Sequence, residues 1–306
     1  MPNWNAVLAQ IQQFRAQHSE QAKLAVDLIR RQYLVSLHEY TGRNIIAYYS
    51  GFLSKPSIFE SEISDEDKNG FMMAVHQLDR AKGLDLILHT QGGSISATQS
   101  IVNYLRKMFG ADIRAIVPQI AMSAGTVIAC ACRVILMGSH SNLGPIDPHL
   151  RGAPAPAVLE EFKRACREVK VDPSKTPIWQ AIIGQYSPTF LSQCENAIKW
   201  SNEFVQHELA TVMFAGDKRA KQRARKIVKV LAEGGSGHDR HFHVEDCEQM
   251  GLVVERIEKD QQLQDLHLTV HHCYMHSLMN TPSFKIIENH MGAAFVKQQV
   301  AVAVRG

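Results

Sequence analysis

Apolar residues recur at helical spacing through the first 38 positions: Val7, Ile11 and Phe14, then Leu24, Val26, Ile29 and Leu34. That period predicts two helical stretches over residues 4–38. The pattern then shortens. NIIAYYSGF, residues 44–52, is β-branched and aromatic and predicts a strand. A polar loop follows, and Ser64-Asp65-Glu66-Asp67 puts a cap and acidic residues at the start of a helix. From residue 84 the chain repeats one unit of strand, tight turn and helix. LDLILHT (84–90) predicts a strand, QGGS a turn and residues 95–108 a helix. DIRAIVP (112–118), QIAMSAGT and a helix over 126–132 repeat the unit, and RVILMG (133–138) is a third strand leading into the loop SHSNLGPIDPHL. Strands alternating with helices predict an α/β fold, a parallel sheet with helices on its faces.

Residues 151–232 read as mostly helical, and GGSGHDRHF (234–242) reads as a loop. VEDCEQM starts acidic and stops at Gly251, as a short helix does. LHLTVHHCYMHSLM alternates apolar and polar positions and is read as a strand, while PSFKIIENHMGAAFVKQQ is read as a final helix. The pattern divides the chain into an N-terminal helical extension, residues 1–38, and one domain, residues 39–306, that includes a C-terminal strand and helix.

Composition adds constraints. A chain of 306 residues with 45% hydrophobic content can bury one large core. A formal net charge of +3 gives no argument for nucleic acid as a partner. The basic run from Lys218 to Lys229 reads as a solvated helix face. Six cysteines without a CxxC pair read as free thiols, which suits a reducing, cytoplasmic setting. No basic leader precedes an apolar stretch, and no apolar run reaches about 18 residues, so neither a signal peptide nor stable membrane insertion is expected. Fifteen histidines raise the question of a metal. On a strand, His272 and His276 would stand ~13 Å apart, too far for one ion. The group His238, His241 and His243 reads as shaping a loop. Neither a metal nor a cofactor is expected.

Two turns carry candidate chemistry. Gly92 and Gly93 sit between a strand and a helix, where backbone amides without a Cβ approach a ligand closely. Ser123 lies between small residues at the start of the next helix, which leaves its hydroxyl accessible. In a parallel sheet both turns lie at the C-terminal ends of their strands. With those strands adjacent, the amides of Gly93 and Ala124 face one point beside the serine, as a two-donor oxyanion hole requires.

LDLILHTQGGSISATQSIVNYLR, IRAIVPQIAMSAGTVIA and VILMGSHSNLGPIDPHL together resemble the serine dehydrogenase proteinase family. That family is a branch of the ClpP/crotonase superfamily, related to the signal peptide peptidase SppA. The resemblance is specific over residues 84–150 and looser over 40–296. It implies a ClpP/crotonase-type ββα spiral, here with added N-terminal helices. It implies serine peptidase activity on polypeptides without a cofactor, and a homo-oligomer. It places Ser123 at the nucleophile position and the amides of Gly93 and Ala124, beside Gly92, at the oxyanion hole.

The general base stays open between two patterns. ClpP-like enzymes pair the serine with a histidine and an aspartate, and His149 and Asp147 follow Ser123 at comparable spacing. SppA-like enzymes use a lysine further on, where Lys163 and then Lys175 stand. A lysine base would have to be desolvated to lower its pKa. The alternatives to a peptidase are a non-catalytic oligomeric scaffold of the same fold or a crotonase-type acyl-CoA enzyme, in which Ser123 would be superfluous.

Overall fold

In the computed structural model, residues 4–233 and 240–299 are described. The strands are β1 (Asn44–Ser50), β2 (Leu84–His89), β3 (Ile113–Val117), β4 (Ile120–Ala121), β5 (Val134–Met137), β6 (Asn142–Leu143), β7 (His149–Leu150), β8 (Ala153–Pro154), β9 (Val254–Arg256), β10 (Ser283–Asn289) and β11 (Ala294–Gln298). The α-helices are α1 (Trp4–Gln17), α2 (Ala25–Thr41), α3 (Asp67–Val75), α4 (Ile95–Phe109), α5 (Ala124–Cys130), α6 (Ala155–Val171), α7 (Thr176–Ile183), α8 (Phe190–Glu208), α9 (Ala220–Glu233), α10 (Val244–Met250) and α11 (Gln261–Asn280).

Seven strands form the central sheet in the order β11-β10-β1-β2-β3-β5-β9. From β1 to β9 the pairings are parallel, and the β10–β11 hairpin adds antiparallel to the edge of β1. Both faces of the sheet are covered, so β2 is buried along its whole length. That includes Asp85, whose carboxylate is neutralised by the guanidinium groups of Arg43 and Arg114, each with Nε at 2.7 Å. On one face α3, α4, α5, α9 and α10 close the larger core. On the other, α2 and α11 pack over Ile87, Ile116 and Leu136. Among the described residues, no helix is long and apolar enough to cross a membrane.

Local signals account for these elements. The Ser94 side chain caps α4 by accepting the Ala97 N–H, and Ala97, Ile101 and Leu105 form its buried stripe. Helix α9 buries Ala224, Ile227, Val228 and Leu231 and leaves Lys221, Arg225, Lys226 and Lys229 in solvent.

The C-terminal region reverses the sequence expectation. LHLTVHHCYMHSLM belongs to α11, not to a strand, and PSFKIIENHMGAAFVKQQ forms the hairpin β10–β11, not a helix. Asp260 starts α11 by accepting the Leu263 N–H at 3.0 Å. The helix is sandwiched between α2 and the sheet and so buries almost every side of itself, which blurs its period. In the hairpin, Gly292 takes φ +86° and the Asn289 side chain accepts the N–H groups of Met291 and Ala293. Because α11 is a helix, His272 and His276 do share a face, so their distance along a strand has no bearing. His276 Nε2 instead donates to the Trp4 carbonyl at 3.2 Å. Among the described residues no three His, Cys, Asp or Glu side chains are placed to hold a metal. His238 lies outside the described residues.

Candidate active site

Strands β2 and β3 are neighbours, so the two turns meet. The chain zips them directly: the Thr90 N–H donates to the Ile120 carbonyl at 3.1 Å, and the Met122 N–H donates to the Thr90 carbonyl at 3.0 Å. Ser123 sits at the apex, with φ +49° and ψ −116°. A serine held in the left-handed region is strained, and such strain persists only where the surroundings enforce it. Here the enforcement is visible. The Met122 carbonyl accepts from Gly125 at 2.7 Å, and the Ser123 carbonyl accepts from Val127 at 3.1 Å.

Gly92, at φ +108°, packs against this apex. A Cβ there would lie 2.7 Å from Ser123 Cβ and 3.1 Å from the Ala124 nitrogen. Only a glycine allows the two turns to approach this closely. Gly93 lies opposite Ile63 in a parallel bridge. The Ile63 N–H donates to the Gly92 carbonyl at 2.8 Å and the Ser94 N–H to the Ile63 carbonyl at 2.9 Å. This alternation turns the Gly93 N–H away from Ile63. Among the described residues, the Gly93 and Ala124 amides donate no hydrogen bond to another backbone group.

The Thr126 hydroxyl joins a third segment to the site. It donates to the Ala121 carbonyl at 2.8 Å and accepts the Gly144 N–H at 2.9 Å. The chain from Gly144 therefore returns past Met122 toward Ser123. The Ile146 N–H is taken by the Leu231 carbonyl, and the Ile146 carbonyl by the buried Ser201 hydroxyl at 3.1 Å. His149 then opens the two-residue ladder β7–β8 ahead of α6.

Gly92, Gly93, Ser123, Ala124 and His149 all line one cleft of about 1190 Å³. Glu60, Glu62, Asp65 and Glu66 line the same cleft, with Lys297 bonded to Glu66 at 2.6 Å. His149 Nε2 lies 3.7 Å from an Asp147 carboxylate oxygen, and Asp147 is buried. Lys163 is exposed on α6 and is not among the cleft residues. Lys175 pairs with Glu168 at 3.3 Å, also away from the cleft. The six cysteines are free. Burial pushes the thiols of Cys132, Cys247 and Cys273 up to about 12, which makes them poor nucleophiles.

Sequence reasoning missed Asp67, Tyr48 and Lys285, which lie fully buried behind the Gly92–Gly93 turn. The available signal was a lysine inside the β-branched run SFKIIEN, where a charge needs a buried partner.

The family of ClpP-like SDH-type serine proteinases matches residues 30–282. Two proteins of Methanocaldococcus jannaschii, both described only as uncharacterized, are similar over a shorter stretch. One is 32% identical over 193 residues, which is 63% of this chain and 60% of the relative. The other is 30% identical over 192 residues, 63% of this chain and 59% of the relative. The chain thus spans about 60% of the length of these relatives.

Proposed function

The chain belongs to the ClpP-like SDH-type serine proteinase family, and from that premise we propose that it hydrolyses polypeptides through Ser123. The Gly93 and Ala124 amides form the oxyanion hole, and His149, oriented by Asp147, is the general base. The observation that carries this reading is the strained Ser123 turn, pressed against Gly92 at the mouth of a cleft that also holds His149. Strand-to-helix turns of this kind present a nucleophilic hydroxyl to substrate.

The steps follow from these positions. His149 takes the Ser123 proton as Oγ attacks the scissile carbonyl carbon, and the Gly93 and Ala124 amides hold the oxyanion that forms. The imidazolium returns the proton to the departing amine, leaving an acyl-Ser123 ester. Water, deprotonated by His149, attacks that ester and releases the acid and the free serine. An acyl-CoA reaction in the same hole would give the strained serine no role. The protein assembles as a homo-oligomer, as ClpP-like proteases commonly do.

Steady-state hydrolysis of fluorescein-labelled casein tests the base. His149→Gln is expected to lower turnover by about 10²- to 10⁴-fold, with Lys163→Met unchanged. Loss of turnover in Lys163→Met with His149→Gln active would overturn the assignment.

A further inference from the structure

Asp67 and Lys285 are both fully buried. Lys285 Nζ donates to Asp67 Oδ1 and Oδ2 at 2.8 and 3.0 Å. Desolvating an ion pair costs about as much as its attraction returns, so such a pair is weak evidence for stability alone. Its remaining bonds all lead to the candidate oxyanion turn, along two arms.

The first arm runs through the backbone. Lys285 Nζ donates to the Glu62 carbonyl at 2.6 Å, and Asp67 Oδ2 accepts the Ser64 N–H at 3.0 Å. These bonds clamp both sides of Ile63, the residue paired with Gly93. The second arm runs through hydroxyls. Tyr48 Oη donates to Asp67 Oδ2 at 2.8 Å. On the neighbouring strand's end, Thr90 Oγ1 accepts the Gly92 N–H at 3.0 Å. Gly92 thus donates to the Thr90 hydroxyl, and the Tyr48 hydroxyl donates to the carboxylate. A hydroxyl bonded to a buried carboxylate makes one of the stronger hydrogen bonds. The arms grip Gly92 and Ser94, the residues on either side of Gly93.

We propose that Lys285, Asp67, Tyr48 and Thr90 are the positioning residues of the Gly92–Gly93 turn, holding the Gly93 N–H aimed at the oxyanion. This deepens the Ser123 reading and rests on it. The acid–base state fits. Burial and the Asp67 charge raise the Tyr48 phenol well above its ordinary value, which keeps it a donor. Burial lowers Lys285 while Asp67 opposes the shift.

Replacing a charge of the pair risks the fold, so the test removes single hydroxyls. Tyr48→Phe and Thr90→Val keep shape and delete one link each. Thr90→Ser restores the hydroxyl and drops the methyl that packs on Gly125. In the full chain, the rate and affinity of Ser123 modification by a fluorophosphonate are measured separately, beside the thermal midpoint. Tyr48→Phe and Thr90→Val are expected to lower the limiting rate about 10- to 100-fold, the cost of a misplaced catalytic group, with affinity and midpoint little changed. Thr90→Ser is expected to react at nearly the wild-type rate. Unchanged rates in Tyr48→Phe and Thr90→Val would overturn the proposal, as would losses that follow the midpoint and appear equally in Thr90→Ser. A wild-type protein that does not react would overturn the Ser123 reading, and this inference with it.

Discussion

Strand β10 carries two buried charges that lead to opposite sides of the sheet. Lys285 reaches Asp67 and the segment behind the Gly92–Gly93 turn. Glu288 reaches the other side, where Arg30 donates at 2.6 Å, Arg31 at 2.7 Å and the Tyr274 hydroxyl at 3.1 Å. Both carboxylates, Asp67 and Glu288, are fully buried, and both are saturated with donors. They differ in what they hold. The Glu288 cluster ties α2 and α11 to the sheet, and none of its members is among the described residues that line the cleft. The Lys285 cluster ends on the backbone that presents Gly93. Similar buried ionic chemistry therefore holds helices to the sheet on one side and the backbone beside Gly93 on the other.

Removing Arg30 breaks the fold side. Arg30→Met leaves the Glu288 carboxylate buried and half-paired, since Arg31 still reaches its other oxygen. A loss of about 3 kcal/mol in urea unfolding is expected, with reactivity per folded molecule unchanged. A variant that kept its stability but lost Ser123 reactivity would erase the distinction between the two sides.

On the site side, Gly92→Ala drives a Cβ into Ser123 and the Ala124 amide. Turnover is expected to fall about 10²- to 10³-fold, the cost of losing one oxyanion donor, while the far-ultraviolet spectrum stays that of the wild type. An active Gly92→Ala protein would sink the proposed geometry. Residue for residue, the mildest change comes with acid. His89 and His267 are buried, their ring nitrogens have no hydrogen-bond partner among the described residues, and burial lowers each to about 3. Both stay neutral in the folded chain and protonate near 6.5 once unfolded, so their stabilising share is complete above that pH. It is lost as pH falls from about 6.5 toward 3, by about 1.4 kcal/mol per pH unit for each histidine. Urea unfolding at pH 7 and pH 5 should show the decline, and His267→Leu should reduce its slope. A pH-independent unfolding free energy would contradict it.

What was legible in the chain follows the same division. The units over 84–137 are readable because each strand is short and apolar and each turn carries glycine or serine where the backbone needs it. Ser123 and Gly93 stand out there without any long-range information. The C-terminal region is not readable in this way. Helix α11 is buried on nearly all sides, so His267, His271 and His276 interrupt its apolar face and mimic a strand. Lys285 and Glu288 give β10 the look of a helix because their partners, Asp67 and Arg30, lie more than 200 residues earlier. Long-range pairs of this kind leave no local period to read.

A nucleophilic Ser123 takes a covalent label. Wild-type protein treated with a fluorophosphonate should gain one adduct per chain, and peptide mapping should place it on Ser123. Ser123→Ala should gain none. An unmodified wild-type protein, or an adduct that persists in Ser123→Ala, would contradict the account.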